Sequence, residues 1–337
     1  MPNVTIRDVA REAAVSVASA SRALNGHPSV HPDTRARILE VAERLAYVPH
    51  AGARSLSLSR AHIIGVVLPA LHGEFFSEIV RGMDGEAVAR GYQLLLANMH
   101  MGAEETTKAL RMMRGRVDGM VVMAPHTDPQ ELAGHLQANI PAVMLNCSDA
   151  RDRFPALLIE NEAGARAMTR HLIATGCRRI VHLSGPLGNI DAAERAAGFR
   201  AAMAEAGLTD QASVIEGDFM EEGGAAAAHQ LMAGDLPDAV FAANDMMAIG
   251  CLLALREAGI SVPGQLSIAG FDDIPAARYL NPALTTLRVN IADLGARAIQ
   301  LVTRAIDGDD GSGPLATRFT PDLMVRATTR PLAGTTT

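Results

Sequence analysis

The chain has 337 residues, 48% of them hydrophobic, and a formal net charge of −7. That length supports two or three domains with real cores, and that composition excludes a disordered chain. No apolar run approaches the ~18 residues that span a bilayer, so no membrane partner is expected. The opening stretch, Met1-Pro2-Asn3-Val4-Thr5-Ile6-Arg7-Asp8, has no apolar segment of the signal-peptide kind, so a cytoplasmic location is expected. Cys147, Cys177 and Cys251 are far apart and odd in number, which fits free thiols. The histidines show no HExxH or CxxC spacing, and neither a metal nor any other cofactor is expected. Residues 1–60 carry a net +3 and residues 61–337 a net −10. A basic head on an acidic body points only the head at a polyanion.

In chain order, Thr5 is a good N-cap for a helix with Ile6, Val9, Ala10 and Ala13 on one face. A break follows at Ala14-Val15-Ser16. Ser16 caps a second helix that turns Val17, Ala20 and Leu24 inward and closes at Asn25-Gly26. Pro32 opens a third helix with Ile38, Leu39, Val41, Ala42 and Leu45 inward. Two short helices joined by a tight turn, with a third packed across them, describe a helix-turn-helix whose second helix enters the major groove. That helix offers Val17, Ala18, Ser21 and Arg22. Arginine pairs bidentately with guanine O6 and N7, while Ser19 and Ser21 can reach phosphates or base edges. An ordinary three-helix bundle with a solvated Arg22 satisfies the same periodicity.

The motifs Thr5-Ile6-Arg7-Asp8-Val9-Ala10, Val15-Ser16-Val17-Ala18, Ser21-Arg22 and Leu24-Asn25-Gly26 resemble the N-terminal signature of the LacI/GalR family of bacterial repressors. Thr34-Arg35, Leu45 to Pro49 and Ala53-Arg54-Ser55-Leu56 continue the likeness. The resemblance implies that Thr5, Ser16, Val17, Ala18, Ser19, Ser21, Arg22 and Asn25 meet operator DNA, with Val17, Ala18 and Arg22 reading bases. It also implies a hinge that folds into a short helix on DNA, from which His50, Ala53, Arg54 and Leu56 make contact. The residue matching Leu56 wedges into the minor groove and unstacks a base step. Two positions depart from the pattern. Ala14 stands where Gly or Asn is usual, at a cost of about 1 kcal/mol if its φ is positive. Gly52 sits inside the hinge helix, which His50 opens in place of the usual Asn, and costs about 0.8–1 kcal/mol relative to Ala.

Beyond the hinge, apolar runs alternate with amphipathic segments. Strands are expected at Ile63–Pro69, Tyr92–Asn98, Gly119–Pro125 and Ala142–Asn146, then at Arg179–Ser184, Ser213–Phe219, Ala239–Asn244 and Leu266–Asp272. Helices between them, such as Phe75–Arg90, make parallel β-α-β units. Two sets of four strands imply two doubly wound lobes, with Thr285–Val289 and Arg318–Ala327 crossing back between them. The fold class expected is therefore an N-terminal all-α helix-turn-helix head plus an α/β body of two doubly wound lobes. The family resemblance implies a body like a periplasmic binding protein. The boundaries are a head over 1–48, a hinge over 49–60, a body over 61–330 and a tail over 331–337. The first lobe takes 61–160 with 291–320, and the second takes 161–290 with 321–330.

Ligands of open α/β sheets bind at the carboxyl ends of the strands. Those ends offer Leu71, His72, Phe75 and Phe76, then Asn98, Asn146, Cys147, Asp149, Ser184, Phe219, Asn244, Asp245, Asp272 and Asp273. Asn, Asp and aromatic residues bind polyols, because amides and carboxylates meet hydroxyls and rings cover the apolar face of a sugar or base. Arg195 stands on the next helix, with a planar fork for vicinal hydroxyls. Leu71, Phe75, Phe76, Asn146, Asp149, Arg195, Phe219, Asn244 and Asp272 form the expected effector set, and Asp149, Arg195, Asn244 and Asp272 match the family's effector positions. Phe75 and Phe76 are adjacent, so one is expected to face the cleft and the other the core. His72 fits a loop, Cys147 an inert packed thiol, and Asp245 and Asp273 fit helix caps as well as ligand contacts. Two carboxylates and one Arg on this list disfavour a phosphate and favour a neutral sugar or nucleoside.

No GxxxxGK[ST] loop, GxGxxG turn or GxSxG elbow is present, so no enzyme is expected. Asp307-Gly308-Asp309-Asp310-Gly311-Ser312 has Ser where a calcium loop needs Gly, and reads as a surface turn. The expected function is that of a repressor whose affinity for a near-palindromic double-stranded operator is set allosterically by a small carbohydrate-like effector. A sugar-binding protein or an α/β enzyme without DNA-linked regulation is the alternative. Two heads on adjacent half-sites require a C2 homodimer. The tail lacks the leucine heptad that makes tetramers of similar proteins.

Overall fold

The computed structural model describes residues 4–25, 27–47, 60–99, 103–136, 140–147, 153–309 and 315–332. The chain divides into a small unit, Met1–His62 with Arg116–Asp118, and a large one holding the remainder.

The small unit contains helices α1 (Ile6–Glu12), α2 (Val17–Leu24) and α3 (Pro32–Arg44). Each starts where local chemistry satisfies its free N–H groups. Asp8 accepts from both the backbone N–H and the hydroxyl of Thr5, at 3.0 and 2.7 Å. Ser16 Oγ accepts from Ser19 N–H at 3.0 Å, and Pro32 occupies the first turn of α3. Between α1 and α2 the chain reverses through Ala14 at φ 52°, with Val15 N–H donating to Ala10 O. This is a left-handed helix stop filled by alanine instead of glycine. Val9, Ala10, Ala13, Ala20, Ala23 and Ile38 form the buried centre of the unit.

The large unit begins with β1 (Ile63–Leu68), α4 (Glu74–Ala89), β2 (Gln93–Asn98), α5 (Ala103–Met113), β3 (Gly119–Val122), α6 (Pro129–His135), β4 (Ala142–Leu145) and β5 (Ala156–Ile159). The continuous apolar run of β1, Ile-Ile-Gly-Val-Val-Leu, is buried on both faces, as a central parallel strand should be. The second lobe follows with α7 (Asn161–Ala174), β6 (Ile180–Ser184), α8 (Ile190–Glu205), β7 (Ala212–Glu216), α9 (Glu221–Met232), β8 (Ala239–Ala242), α10 (Asp245–Glu257), β9 (Ser267–Ala269) and the short α11 (Ala276–Tyr279). The chain then crosses through β10 (Thr286–Arg288) to α12 (Ile291–Ile306), β11 (Ala316–Phe319) and β12 (Asp322–Met324).

Among the described residues, one sheet runs β11-β5-β4-β3-β1-β2 and the other β7-β6-β8-β9, and every pairing in both is parallel. Each sheet reverses its winding beside its first strand, β1 or β6, which is the switch point where such sheets bind ligands. Helix α12 returns to pack on α4, so tightly that a Cβ at Gly82 would lie 1.9 Å from Ala292 O.

The first sheet has six strands where the sequence led us to expect four. β5 is hidden because it is four residues long and follows Pro155, and β11 because it is an edge strand of alternating exposure. The single run expected over 318–327 is broken at Thr320-Pro321, so β11 stays in the first sheet while β12 pairs antiparallel with β10.

Candidate functional site

On the small unit, α2 carries the expected nucleic-acid face. Ser16, Val17, Ala18 and Arg22 are exposed, whereas Ala20 and Ala23 are buried. Val17 is 43% exposed, so it faces outward and not into the core as its periodicity suggested. The Arg22 side chain lies along the helix, its Nε–H donating to Ala18 O at 3.2 Å. Ser19, Ser21 and Asn25 are half-buried, Ser19 Oγ lies 2.9 Å from Ser16 Oγ, and Thr5 is exposed at the start of α1. The hinge residues His50, Gly52, Ala53, Arg54 and Leu56 lie outside the described residues.

On the large unit, a cleft of roughly 790 Å³, part of it open to solvent, lies between the carboxyl ends of the two sheets. One end is polar. Arg195, on the second turn of α8, is 4% exposed. Its Nε–H donates to Asn161 Oδ1 at 2.8 Å, Nη1 donates to Ala243 O at 2.5 Å, and the guanidinium lies 3.8 Å above the Phe271 ring. Nη1 stands 3.6 Å from Asp272 Oδ1. That oxygen is buried and has no hydrogen-bond partner. Asp191, one turn before Arg195, accepts from Asn161 Nδ2 at 2.8 Å.

Burial raises both carboxyl groups above their ordinary value. Asp191 is pushed to about 6, with Arg195 and Asn161 pulling it back and Glu194 adding to the rise. Asp272 is pushed to about 7, lowered by Arg195 and raised by the charge of Asp191. Asn146, Phe219 and Asp272 have φ of 47°, 69° and 114°. Left-handed backbone at three lining residues is strain held by the surrounding fold, and such strain clusters at ligand sites.

The other end is apolar. Phe75 and Phe76 both line the cleft, edge to face with ring centroids 5.3 Å apart, so the expected division between cleft and core does not hold. Opposite them Phe219 packs flat on Gly185, where a Cβ would meet the ring at 2.2 Å. Met123, Met220 and Met246 fill the gaps.

Of the remaining expected residues, Asn244 borders the cleft but is also structural. Its Oδ1 caps α10 by accepting from Met247 N–H, and its Nδ2 donates to Phe219 O at 2.9 Å. Leu71 is 48% exposed and lies outside the lining, because the chain bends away after β1. Asp149 lies outside the described residues. His72 does line the cleft, 3.5 Å from Glu221 of the other lobe. Asp245 and Asp273 instead brace the fold. Asp245 accepts from Ile274 N–H and the Thr286 hydroxyl. Asp273 holds Arg278, Arg288 and Arg326. Cys147 is buried, and that burial pushes its thiol to about 12.

Sequence reasoning missed Asp191, Asn161, Asn189 and His126. Asp191 was recoverable, since it precedes Arg195 by four residues and so shares its helix face. Asn161 and His126 are brought in by tertiary packing and left no local signal.

Residues 5–50 match the model of the bacterial regulatory proteins of the lacI family, and residues 169–329 that of a periplasmic binding protein-like domain. The chain is 34% identical to catabolite control protein A of Priestia megaterium over 90% of its length and 92% of that protein. It is 35% identical to the transcriptional repressor PurR of Photorhabdus laumondii over 88% of its length and 89% of that protein. A crystal structure of the lac repressor dimer bound to operator and the anti-inducer ONPF superposes with a TM-score of 0.85 at 28% identity, covering 98% of this chain and all of that one.

Proposed function

The chain belongs to the lacI family of bacterial regulatory proteins, and from that premise we propose how its two units divide the work. It is a DNA-binding transcriptional regulator, a repressor controlled by an effector. The α2 face, with Val17 and Ala18 against base edges and Arg22 toward guanine, reads each operator half-site. Residues 49–60 form the hinge that follows it, with Leu56 as the minor-groove wedge. Two copies related by a two-fold axis meet a near-palindromic operator, as the dimer in the lac repressor structure meets its own. The strand-end cleft binds a small carbohydrate-like effector, with Asn146, Arg195, Phe219, Asn244 and Asp272 among its contacts. The chain acts by binding and has no catalytic turnover.

The observation that carries this reading is the pairing, in one chain, of an exposed Val17-Ala18-Arg22 stripe with a cleft whose polar end is Asp191, Arg195 and Asp272. An effector acts only through different affinities for two arrangements of the lobes, and a hundredfold change in operator affinity requires about 2.7 kcal/mol of coupling. Fluorescence anisotropy of operator duplexes selected from random DNA, with and without a panel of sugars and nucleosides, tests it. Sequence-specific binding that weakens steeply with salt and shifts with one panel member is expected. Binding with no sequence preference would sink the reading.

A further inference from the structure

The cleft's charge is more negative than the strand ends alone suggest. Among the described lining residues, Asp191, Asp218 and Asp272 face a single arginine. Arg195 is already engaged by Asn161, Ala243 and the Phe271 ring, and it reaches Asp272 only at 3.6 Å. Asp272, 4% exposed, lines the cleft, and its buried Oδ1, on the Arg195 side, has no hydrogen-bond partner. We propose that the effector carries a protonated amine, an amino-substituted polyol of hexose size whose ammonium sits between Asp272 and Asp191. This rests on the reading of the cleft as the effector site.

A neutral hydroxyl can donate to one carboxylate but leaves the charges of Asp191 and Asp272 together in a medium of low dielectric. An ammonium brings three donors and a charge, so it can donate to both carboxyl groups and offset their repulsion together. A phosphate or carboxylate meets the same negative wall and is excluded. The groups facing Asp272 are Arg195, Asp191 and, behind it, Asp245; those facing Asp191 are Arg195 and Glu194. Asp218 stands at the rim, and His126 lines the cleft from the first lobe, kept low in basicity by burial. Protons bound by Asp272 and Asp191 at acid pH compete with the amine. Its affinity therefore rises from about pH 5.5 to about pH 7 as the carboxyl groups ionise and falls again above that as the amine loses its own proton, whereas that of a neutral sugar shows neither change.

Calorimetry on the full chain tests this with glucosamine, galactosamine and mannosamine, each against its parent hexose and its N-acetyl derivative. At about pH 7 one amine is expected to bind at least about tenfold tighter than both neutral forms. Asp191→Asn, which keeps the side chain's shape, is expected to erase that preference with an unchanged circular dichroism spectrum. The proposal is overturned if no amine binds, if a neutral form binds as tightly, or if the preference survives both Asp191→Asn and Asp272→Asn. A neutral sugar that binds and shifts operator affinity would remove the amine and leave the regulator intact. Operator affinity indifferent to every cleft ligand would remove the effector reading too.

Discussion

Asp272→Asn should stabilise the ligand-free protein, increasingly so as pH rises from about 4 to about 7. The Asp272 carboxyl is moved from its ordinary 3.8 to about 7 by burial. Between those values the folded chain holds a proton that the unfolded chain has lost. Stability from this group is therefore present at acid pH and is lost as pH rises toward 7, after which the loss is complete. A shift of three units corresponds to about 4 kcal/mol. Asp191 titrates with Asp272, and the cleft admits some water, so about 2 kcal/mol is the lower figure. Asparagine keeps the shape, cannot ionise and can donate to its neighbours. Melting curves of both proteins at pH 5 and pH 8, without ligand, are the assay. The variant should melt a little higher at pH 5, where about a third of the loss has occurred, and roughly 5–10 °C higher at pH 8. A variant that is less stable at pH 8, or that differs equally at both pH values, would refute the buried-carboxylate argument.

Three further outcomes are expected. Arg22→Ala should weaken operator binding by about 1–3 kcal/mol and relax preference at one base pair, with no loss of fold, because the side chain's hydrogen bond to Ala18 O is exposed; competition among single-base operator variants reads this. Ala14→Gly should raise the stability of the head by about 0.5–1 kcal/mol in denaturant titrations, since φ 52° strains alanine and the gain is partly offset by a more flexible unfolded chain. Gly185→Ala should cost effector affinity about tenfold or more in calorimetry, because the new methyl displaces the Phe219 ring, while operator affinity without effector stays near normal.

What was legible in the sequence follows from how local each signal is. The caps at Thr5, Ser16 and Pro32 and the central strands are encoded within a few neighbouring residues, and the strand ends pointed to Asn146, Arg195 and Asp272 lining one cleft. β5 and β11 were not legible, because a short edge or near-edge strand is defined by its partner and not by its own run. Asp245 and Asp273 read as cleft candidates for the same reason that they are buried. A carboxylate after a strand can face the ligand or turn back, and only the positions of Thr286, Arg288 and Arg326 decide it. Leu71 shows the opposite error, a residue at a strand end that the chain carries into solvent.

Asp191 and Asp272 sit in one cluster but connect to different parts of the protein. Asp191 belongs to the second lobe, yet Asn146 at the end of β4 in the first helps to hold its carboxyl down against the rise from burial. Nearby, Ile190 N–H donates to Pro125 O, and Asn189 lies 3.3 Å from His126, so this corner of α8 is one of the places where the lobes touch. The Asp272 side chain, in contrast, faces Arg195 of its own lobe. A ligand with equal affinity for both lobe arrangements shifts nothing, however tightly it binds. Coupling must therefore pass through groups whose partners change with the arrangement, and Asp191 adjoins such groups, Ile190 and Asn189, while Asp272 does not. Asp191→Asn is thus expected to alter operator affinity without any ligand, whereas Asp272→Asn alters ligand affinity and leaves ligand-free operator binding near normal. Anisotropy titrations of both variants separate the two, and an equal shift in ligand-free operator affinity would show that the coupling runs elsewhere.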